Sequence, residues 1–178
     1  MPQPYHTFET ERLLLRATTE ADAPFMLELL NSPKWLQFIG DRQVHTEEDA
    51  KQYIRSRILP QFERLGYANY TVTRKADGVP LGTCGLYSRA GLSGIDIGYA
   101  FLPQHEGQGY AYEAAATLKE AAFHTLLLPA IGAITTKSNH SSQKLLQKLG
   151  LRFMKYITLP DEDEELMYFE LQKPESHT

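Results

Sequence analysis

The residues best suited to chemistry lie in Gln104-His105-Glu106-Gly107-Gln108-Gly109-Tyr110-Ala111, between the end of an expected strand and the start of an alanine-rich helical pattern. Free amides at a helix N-terminus, with the positive end of the helix dipole behind them, bind a phosphate. Glycine there lets the ligand approach the backbone without a Cβ in the way. Gly107 and Gly109 are therefore candidate pyrophosphate contacts, against the plainer reading of an ordinary turn with two flexible residues. A dinucleotide fingerprint needs a small residue three positions after Gly109, where Tyr112 stands, and no Lys-Ser or Lys-Thr follows the glycines to make a P-loop. Metal chemistry is not expected, because no CxxC or HExxH spacing occurs. The sole cysteine, Cys84, has no histidine arranged beside it and reads as a small buried thiol rather than a nucleophile.

The elements that must position this loop follow from periodicity. Arg12 to Arg16 reads as a first strand, and Met26, Leu29 and Leu30 repeat at helical spacing, with Pro24 in the first turn and Asp22 favoured over Thr19 as the cap. A second helix is expected to begin at Thr46, which forms a capping-box-like pair with Asp49, and to kink or end at Pro60. Tyr70 to Thr73, Leu81 to Tyr87 and Ile95 to Leu102 are short apolar runs separated by turn residues, the pattern of an antiparallel meander. Helical spacing returns with Ala111, Ala115, Leu118, Ala122 and Leu126. A strand at Ala130 to Thr136 follows, then a helix from about Asn139 to Leu149 stopped by Gly150, then strands near Phe153 to Thr158 and Leu166 to Leu171. The order βααβββαβαββ implies a mixed, mostly antiparallel α/β sheet of about seven strands with flanking helices.

The 178 residues correspond to one domain spanning 1–178, with a core from about residue 8 to about residue 172. Hydrophobic residues at 42% and charged residues at 22% match a folded globular chain rather than a disordered one. A net charge of −4 argues against a binder of phosphate backbones, so nucleic acid is not an expected partner. The first ten residues lack a signal-peptide pattern, and no apolar run is long enough to span a bilayer. The chain is therefore expected to be soluble, without a membrane partner, in a reducing cytoplasm.

Several segments together resemble a known family. Gln104-x-x-Gly107-x-Gly109 is similar to the acyl-CoA signature of the GNAT superfamily of N-acetyltransferases. Glu9 to Arg16 resembles the opening strand of its RimJ/RimL-type branch. Gly98 to Pro103, Gly109 to Ala114, and Asn139-His140-Ser141-Ser142 leading to Leu149-Gly150-Leu151 are similar to that branch in order and spacing. The resemblance implies the GNAT fold and transfer of an acetyl group from acetyl-CoA, by direct attack in a ternary complex, to a primary amine on a protein N-terminus or a small molecule. The other reading is an acyl-CoA-binding protein of the same fold without catalysis.

The resemblance also implies a site. The backbone at Phe101 and Leu102 is expected to meet the pantetheine arm, the loop Glu106, Gly107, Gln108, Gly109, Tyr110 and Ala111 the pyrophosphate, and the Asn139 side chain the cofactor while it also caps a helix. Ile95, Ile97, Tyr99 and Phe101 alternate with Asp96, Gly98, Ala100 and Leu102, so one face of the strand is bulky and the other carries small residues, and with Gly132 and Ala133 on the neighbouring strand this leaves room for the ligand. The tyrosine that many members carry seven residues after this asparagine is Leu146 here, so Ser142 is the candidate acid. The loop lacks a basic residue between its glycines, so amides are expected to hold the pyrophosphate, with Lys144 and Lys148 available nearby. An amine with a pKa near ~10.4 must lose a proton before attack, and Asp96 is the candidate base unless a bulge turns it to the other face. The acidic run Asp161-Glu162-Asp163-Glu164-Glu165 reads as a solvated hairpin loop or as an attractor for a cationic acceptor. A monomer or a homodimer is compatible with the sequence.

Overall fold

Apolar alternation builds the first edge of the sheet. The structure, a computed structural model, describes residues 5–175; residues 1–4 and 176–178 of the expected domain lie outside the described residues. Strand β1 (Phe8–Glu9) pairs antiparallel with β2 (Leu13–Ala17), whose Leu13, Leu15 and Ala17 are buried. Helices α1 (Ala23–Leu30), α2 (Pro33–Phe38), α3 (Glu47–Tyr53) and α4 (Leu59–Leu65) precede β3 (Asn69–Arg74). Strands β4 (Pro80–Ser88) and β5 (Ile95–Phe101) complete the meander. Helix α5 (Tyr110–His124), β6 (Ala130–Thr136), α6 (His140–Lys148), β7 (Arg152–Thr158) and β8 (Glu165–Gln172) complete the chain. The single sheet has the order β1-β2-β3-β4-β5-β6-β8-β7, and β5 and β6 are its parallel pair.

The mixed, mostly antiparallel fold is the one expected, with eight strands instead of about seven. The additional strand, β1, is two residues long, too short for period-2 alternation to register. Thr46 caps α3 as a full capping box: its hydroxyl accepts the Asp49 amide at 3.0 Å, and the Asp49 carboxylate accepts the Thr46 amide at 3.2 Å. Pro60 does not end this helix. The chain passes through a π-helical turn at Ile54–Ile58, and Pro60 falls in the first turn of α4, where its missing N–H is not needed. Asp22 holds the N-cap position of α1, yet its carboxylate accepts from Arg16 at 2.7 and 2.8 Å and from the Thr19 amide at 2.9 Å instead of capping α1.

Helix α5 crosses β4 and β5 with Ala114, Ala115, Leu118 and Ala122 fully buried, so small side chains set its close approach to the sheet. Its first turn is pinned to the opening strands by Glu113, whose carboxylate accepts from the Thr10 hydroxyl, from Arg12 Nε at 2.8 Å and from the Arg12 amide at 3.2 Å. Burial acts to raise this carboxyl, but the hydrogen bonds from Thr10 and Arg12 outweigh it and hold the group below the usual range.

A group with a lowered native pKa contributes stability above its unfolded pKa, near ~4.3 for Glu, and that contribution is lost as pH falls through the native value. Glu113→Gln is expected to lower stability by about 2 kcal/mol at neutral pH and to reduce the further loss on acidification below pH ~4. Denaturant melts of both proteins between pH 3 and pH 7 measure this (a span of roughly four units about the carboxylate range). Parallel pH curves would show that Glu113 does not pin the helix through its charge.

Candidate functional site

β5 and β6 separate almost as soon as they meet. Their parallel pairing is limited to Asp96 opposite Gly132, so β5 from Gly98 to Phe101 has no ladder partner on that side. The β4–β5 register is regular from Gly82 opposite Phe101 to Ser88 opposite Ile95, so β5 carries no bulge and its alternation holds. Asp96, Gly98 and Ala100 share one face, and Ile97, Tyr99 and Phe101 the other. A Cβ on Gly132 would lie 2.7 to 3.0 Å from ring atoms and the hydroxyl of Tyr168, and one on Gly98 would lie 3.0 Å from the Tyr87 ring. These two glycines are needed for ring coverage rather than for ligand room alone.

The end of β5 leads through Leu102 and a short 3-10 turn at Pro103–His105 into the glycine loop. Gly107 and Gly109 both have left-handed backbone, with φ of 78° and 83°, and Gly109 is the N-cap of α5. A Cβ on Gly107 would meet nothing within 4 Å. The amides from Gly109 to Tyr112 donate to no backbone carbonyl among the described residues, and the first helical bond runs from the Glu113 amide to Gly109 at 3.1 Å. The loop and helix thus form an open cradle of N–H donors, which fits a pyrophosphate.

Charge reaches this cradle from elements distant in sequence. Arg12, held by Glu113, stacks over the Tyr110 ring at 4.4 Å, and its Nη2 lies 3.5 Å from where a Cβ on Gly109 would be. Lys34 of α2 pairs with Glu106, offsetting the acidic residue in the loop. Lys148 lies over the Tyr112 ring at 4.1 Å and joins α6 to the first turn of α5, while Lys144 is exposed. Sequence reasoning missed Arg12 and Lys34, because their proximity to the loop comes only from the pairing of β1 with β2 and the packing of α2.

On the far side of the gap, Asn139 caps α6, its Oδ1 accepting the Ser142 amide at 3.2 Å. Ser142 Oγ lies 3.0 Å from Tyr99 Oη, which reaches it from the separated part of β5. Burial pushes the Tyr99 phenol up to about 12. Leu146 is buried in the core.

On the opposite face, Arg89 Nε donates to both oxygens of Asp96, at 3.0 and 2.8 Å, and the guanidinium stacks over Tyr87 at 4.9 Å. Asp96 is 1% exposed, and burial raises its carboxyl above the usual range despite Arg89. The structure therefore places Asp96 and Tyr99 on opposite faces of β5, Asp96 at the bridge to β6 and Tyr99 where the strands have parted. Cys84 is fully buried in the sheet with its thiol pushed up to about 12 by burial, as expected of an unreactive core residue. Among the described residues no cluster of three or more His, Cys, Asp or Glu side chains could hold a metal, and no helix is long and apolar enough to cross a membrane.

A family model described as an acetyltransferase (GNAT) domain matches residues 12–152. The chain belongs to the GNAT family. Its relatives include the uncharacterized N-acetyltransferase YoaA of Bacillus subtilis, 28% identical over 145 residues, which span 81% of each chain. Among solved GNAT-fold structures, an acetyltransferase from Agrobacterium tumefaciens has a TM-score of 0.81 at 23% identity, covering 97% of both chains. The ribosomal L7/L12 alpha-N-protein acetyltransferase RimL, in complex with coenzyme A, has a TM-score of 0.79 at 18% identity, covering 94% of this chain and 98% of RimL. The protein is an acetyltransferase of the GNAT fold.

In this GNAT chain the cradle has a direct test. Acetyl-CoA at a hundredfold excess over its Kd is expected to stabilise the parent by ~2.7 kcal/mol. Gly109→Glu is expected to abolish that gain, because its carboxylate would occupy the cradle and draw Arg12 onto itself. Thermal melts with and without acetyl-CoA measure both, and an undiminished gain in the variant would put the nucleotide elsewhere.

Proposed function

We propose that this protein is a RimJ/RimL-like N-acetyltransferase that takes its acetyl group from acetyl-CoA and delivers it to a primary amine. The observation that carries the reading is the gap between β5 and β6, which opens toward the cradle of free amides at the start of α5. The pyrophosphate is assigned to Glu106, Gly107, Gln108, Gly109, Tyr110 and Ala111, with Arg12 beside them. The pantetheine arm is assigned to the unpaired backbone leading to Phe101 and Leu102, and Asn139 borders it from α6. Bound acetyl-CoA supplies a thioester carbonyl to the attacking nitrogen.

The chain's own residues handle the protons. Asp96 takes a proton from the amine on the small-residue face, and Arg89 leaves the remaining lone pairs of the carboxylate free for it. Its raised pKa brings it closer to that of an effective base than an ordinary carboxylate is. Ser142 gives a proton to the departing sulfur from the other face. Turnover of acetyl-CoA with a panel of N-terminal peptides, polyamines and aminoglycosides tests the reaction. Because a base must be ionised, activity should fall on the acid side, at a pH above the usual carboxylate range. Asp96→Asn should flatten that limb and lower kcat about a hundredfold. An unchanged profile in Asp96→Asn would assign the base elsewhere.

The acceptor is assigned to the cationic amines, as a small molecule or a basic peptide. Asp161 to Glu165 are all exposed, and a Cβ on Gly91 of the β4–β5 loop would lie 2.6 Å from Pro160, so the residue that leads into the acidic run lies against the loop that begins with Arg89. Glu165 is paired with Lys137, leaving four carboxylates outside that pair. Replacing the run with Asn and Gln is expected to raise KM for spermine several-fold at low salt. The difference should shrink as the Debye length falls to ~3 Å near 1 M salt. Equal KM values at low salt would return the run to a solvated loop.

A further inference from the structure

A side-chain bond from β5 to α6 spans the gap in which the reading above lodges the thioester. Tyr99 lies beyond the Asp96–Gly132 bridge, where β5 has left β6, and its hydroxyl is 3.0 Å from Ser142 Oγ and 3.3 Å from the Ser142 carbonyl oxygen. Ser142 Oγ has no other hydrogen-bond partner among the described residues. Each hydroxyl has one proton and two lone pairs, so the direction of this bond decides where the Ser142 proton points.

We infer that Tyr99 is a positioning residue for the proton donor of the reaction: its O–H donates to Ser142 Oγ and leaves the Ser142 O–H directed into the gap, toward the sulfur. Phenol is the stronger acid of the two hydroxyls, and Oγ at 3.0 Å is nearer than the Ser142 carbonyl oxygen at 3.3 Å that the same proton could serve, which makes Tyr99 the donor to Oγ. Burial keeps it protonated at neutral pH, with its pKa pushed up to about 12. The same bond makes Ser142 a better donor, since charge that develops on Oγ is met by the phenol.

The protons balance along this chain. When the carbon–sulfur bond breaks, its electron pair goes to sulfur, and sulfur takes the Ser142 proton. Ser142 Oγ takes the Tyr99 proton, and the phenolate left behind is reprotonated by water. The hydroxide left behind is neutralised by the proton that the attacking amine gave to Asp96, which restores the base. No oxidant, metal or second co-reactant is needed.

The inference rests on Ser142 as the acid, and coenzyme A itself separates the two claims. A free thiol titrates near pH ~8.5, and a hydrogen bond from Ser142 to the thiolate should lower the pKa of bound coenzyme A by about one unit, tenfold in thiolate fraction. Thiolate absorbance reads this directly, because Cys84, with its pKa near about 12, stays silent in the same window. Tyr99→Phe, which keeps the ring, and Ser142→Ala should each return the titration toward the free value, and the double variant should go no further. Dethio-coenzyme A should bind all four proteins equally, which also verifies that the variants fold. In turnover, Tyr99→Phe should lower kcat about tenfold and leave KM for acetyl-CoA unchanged. Charged groups common to the four proteins, His140 and Lys144 on α6 among them, cancel in the comparison. If Tyr99→Phe titrates like the parent while Ser142→Ala does not, the role of Tyr99 is overturned and that of Ser142 stands. Additive shifts in the double variant would also overturn it, as two independent donors. If both single variants titrate like the parent, Ser142 is not the acid and the relay falls with it.

Discussion

β5 and β6 run parallel and share a single bridge, Asp96 opposite Gly132, and every part of the site is arranged around the point where that ladder stops. Leaving a backbone donor or acceptor buried without a partner costs about 1–3 kcal/mol, so a sheet does not part at its centre without an arrangement that holds it open. Two features do so here. β6 is fully paired on its other side with β8, from Ala130 opposite Gln172 to Thr136 opposite Leu166, and β5 is fully paired with β4. Each strand is therefore anchored away from the gap, and on the small-residue face the rings of Tyr87 and Tyr168 lie over Gly98 and Gly132. The unpaired edge is the part of the sheet that a ligand backbone can complete.

The second constraint is electrostatic. An acidic chain with Glu106 in the loop proposed to bind a pyrophosphate needs cationic groups nearby, and they arrive through long-range packing rather than local sequence. Glu113 organises one contribution: by holding Thr10 and Arg12 it fixes the guanidinium against Tyr110, beside Gly109. Lys34 on α2 neutralises Glu106. The Arg12 pair is only part-exposed and its geometry is fixed by three bonds, whereas the Lys34 pair is more open and contributes less than ~1 kcal/mol. The opening strands thus set a guanidinium, ion-paired with Glu113, beside the proposed cradle that has no basic residue between its glycines.

What the sequence made legible follows from range. The strand–loop–helix order around Gly107 and Gly109, the Thr46 and Asn139 caps and the β6–α6 unit depend on neighbours within a few residues, and the structure has them where local chemistry puts them. Pro60 was expected to kink or end the second helix; the helix instead passes through a π-helical turn at Ile54–Ile58, and Pro60 sits in the first turn of α4, an arrangement set by packing rather than by local sequence. β1 was too short to carry a period. The partners of Asp96 and Ser142 were hidden for a different reason. Arg89 is only seven residues from Asp96, yet the β4–β5 turn had to fold before the two could face each other, and Tyr99 reaches Ser142 across 43 residues. Arg12 and Glu113 are 101 residues apart. Residue types suggested which groups could act, and only tertiary pairing determined which groups those side chains actually meet.

The regular register of β5 also sets the logic of the proposed reaction. Asp96 and Tyr99 are separated by an odd number of positions, so on an unbulged strand they must project from opposite faces. One face carries Asp96 with Arg89 and is bordered by the acidic run; the other carries Tyr99 against α6 and Ser142. A base that shared a face with the acid would compete with the sulfur for the acid's proton. Alternation keeps them apart with the β5 backbone between them, while both stay within reach of a thioester lying along the strand edge. A single inserted residue between them would bring both groups to one face. The constant pairing with β4, maintained from Gly82 to Ser88, is thus what would separate the two proposed proton transfers in space.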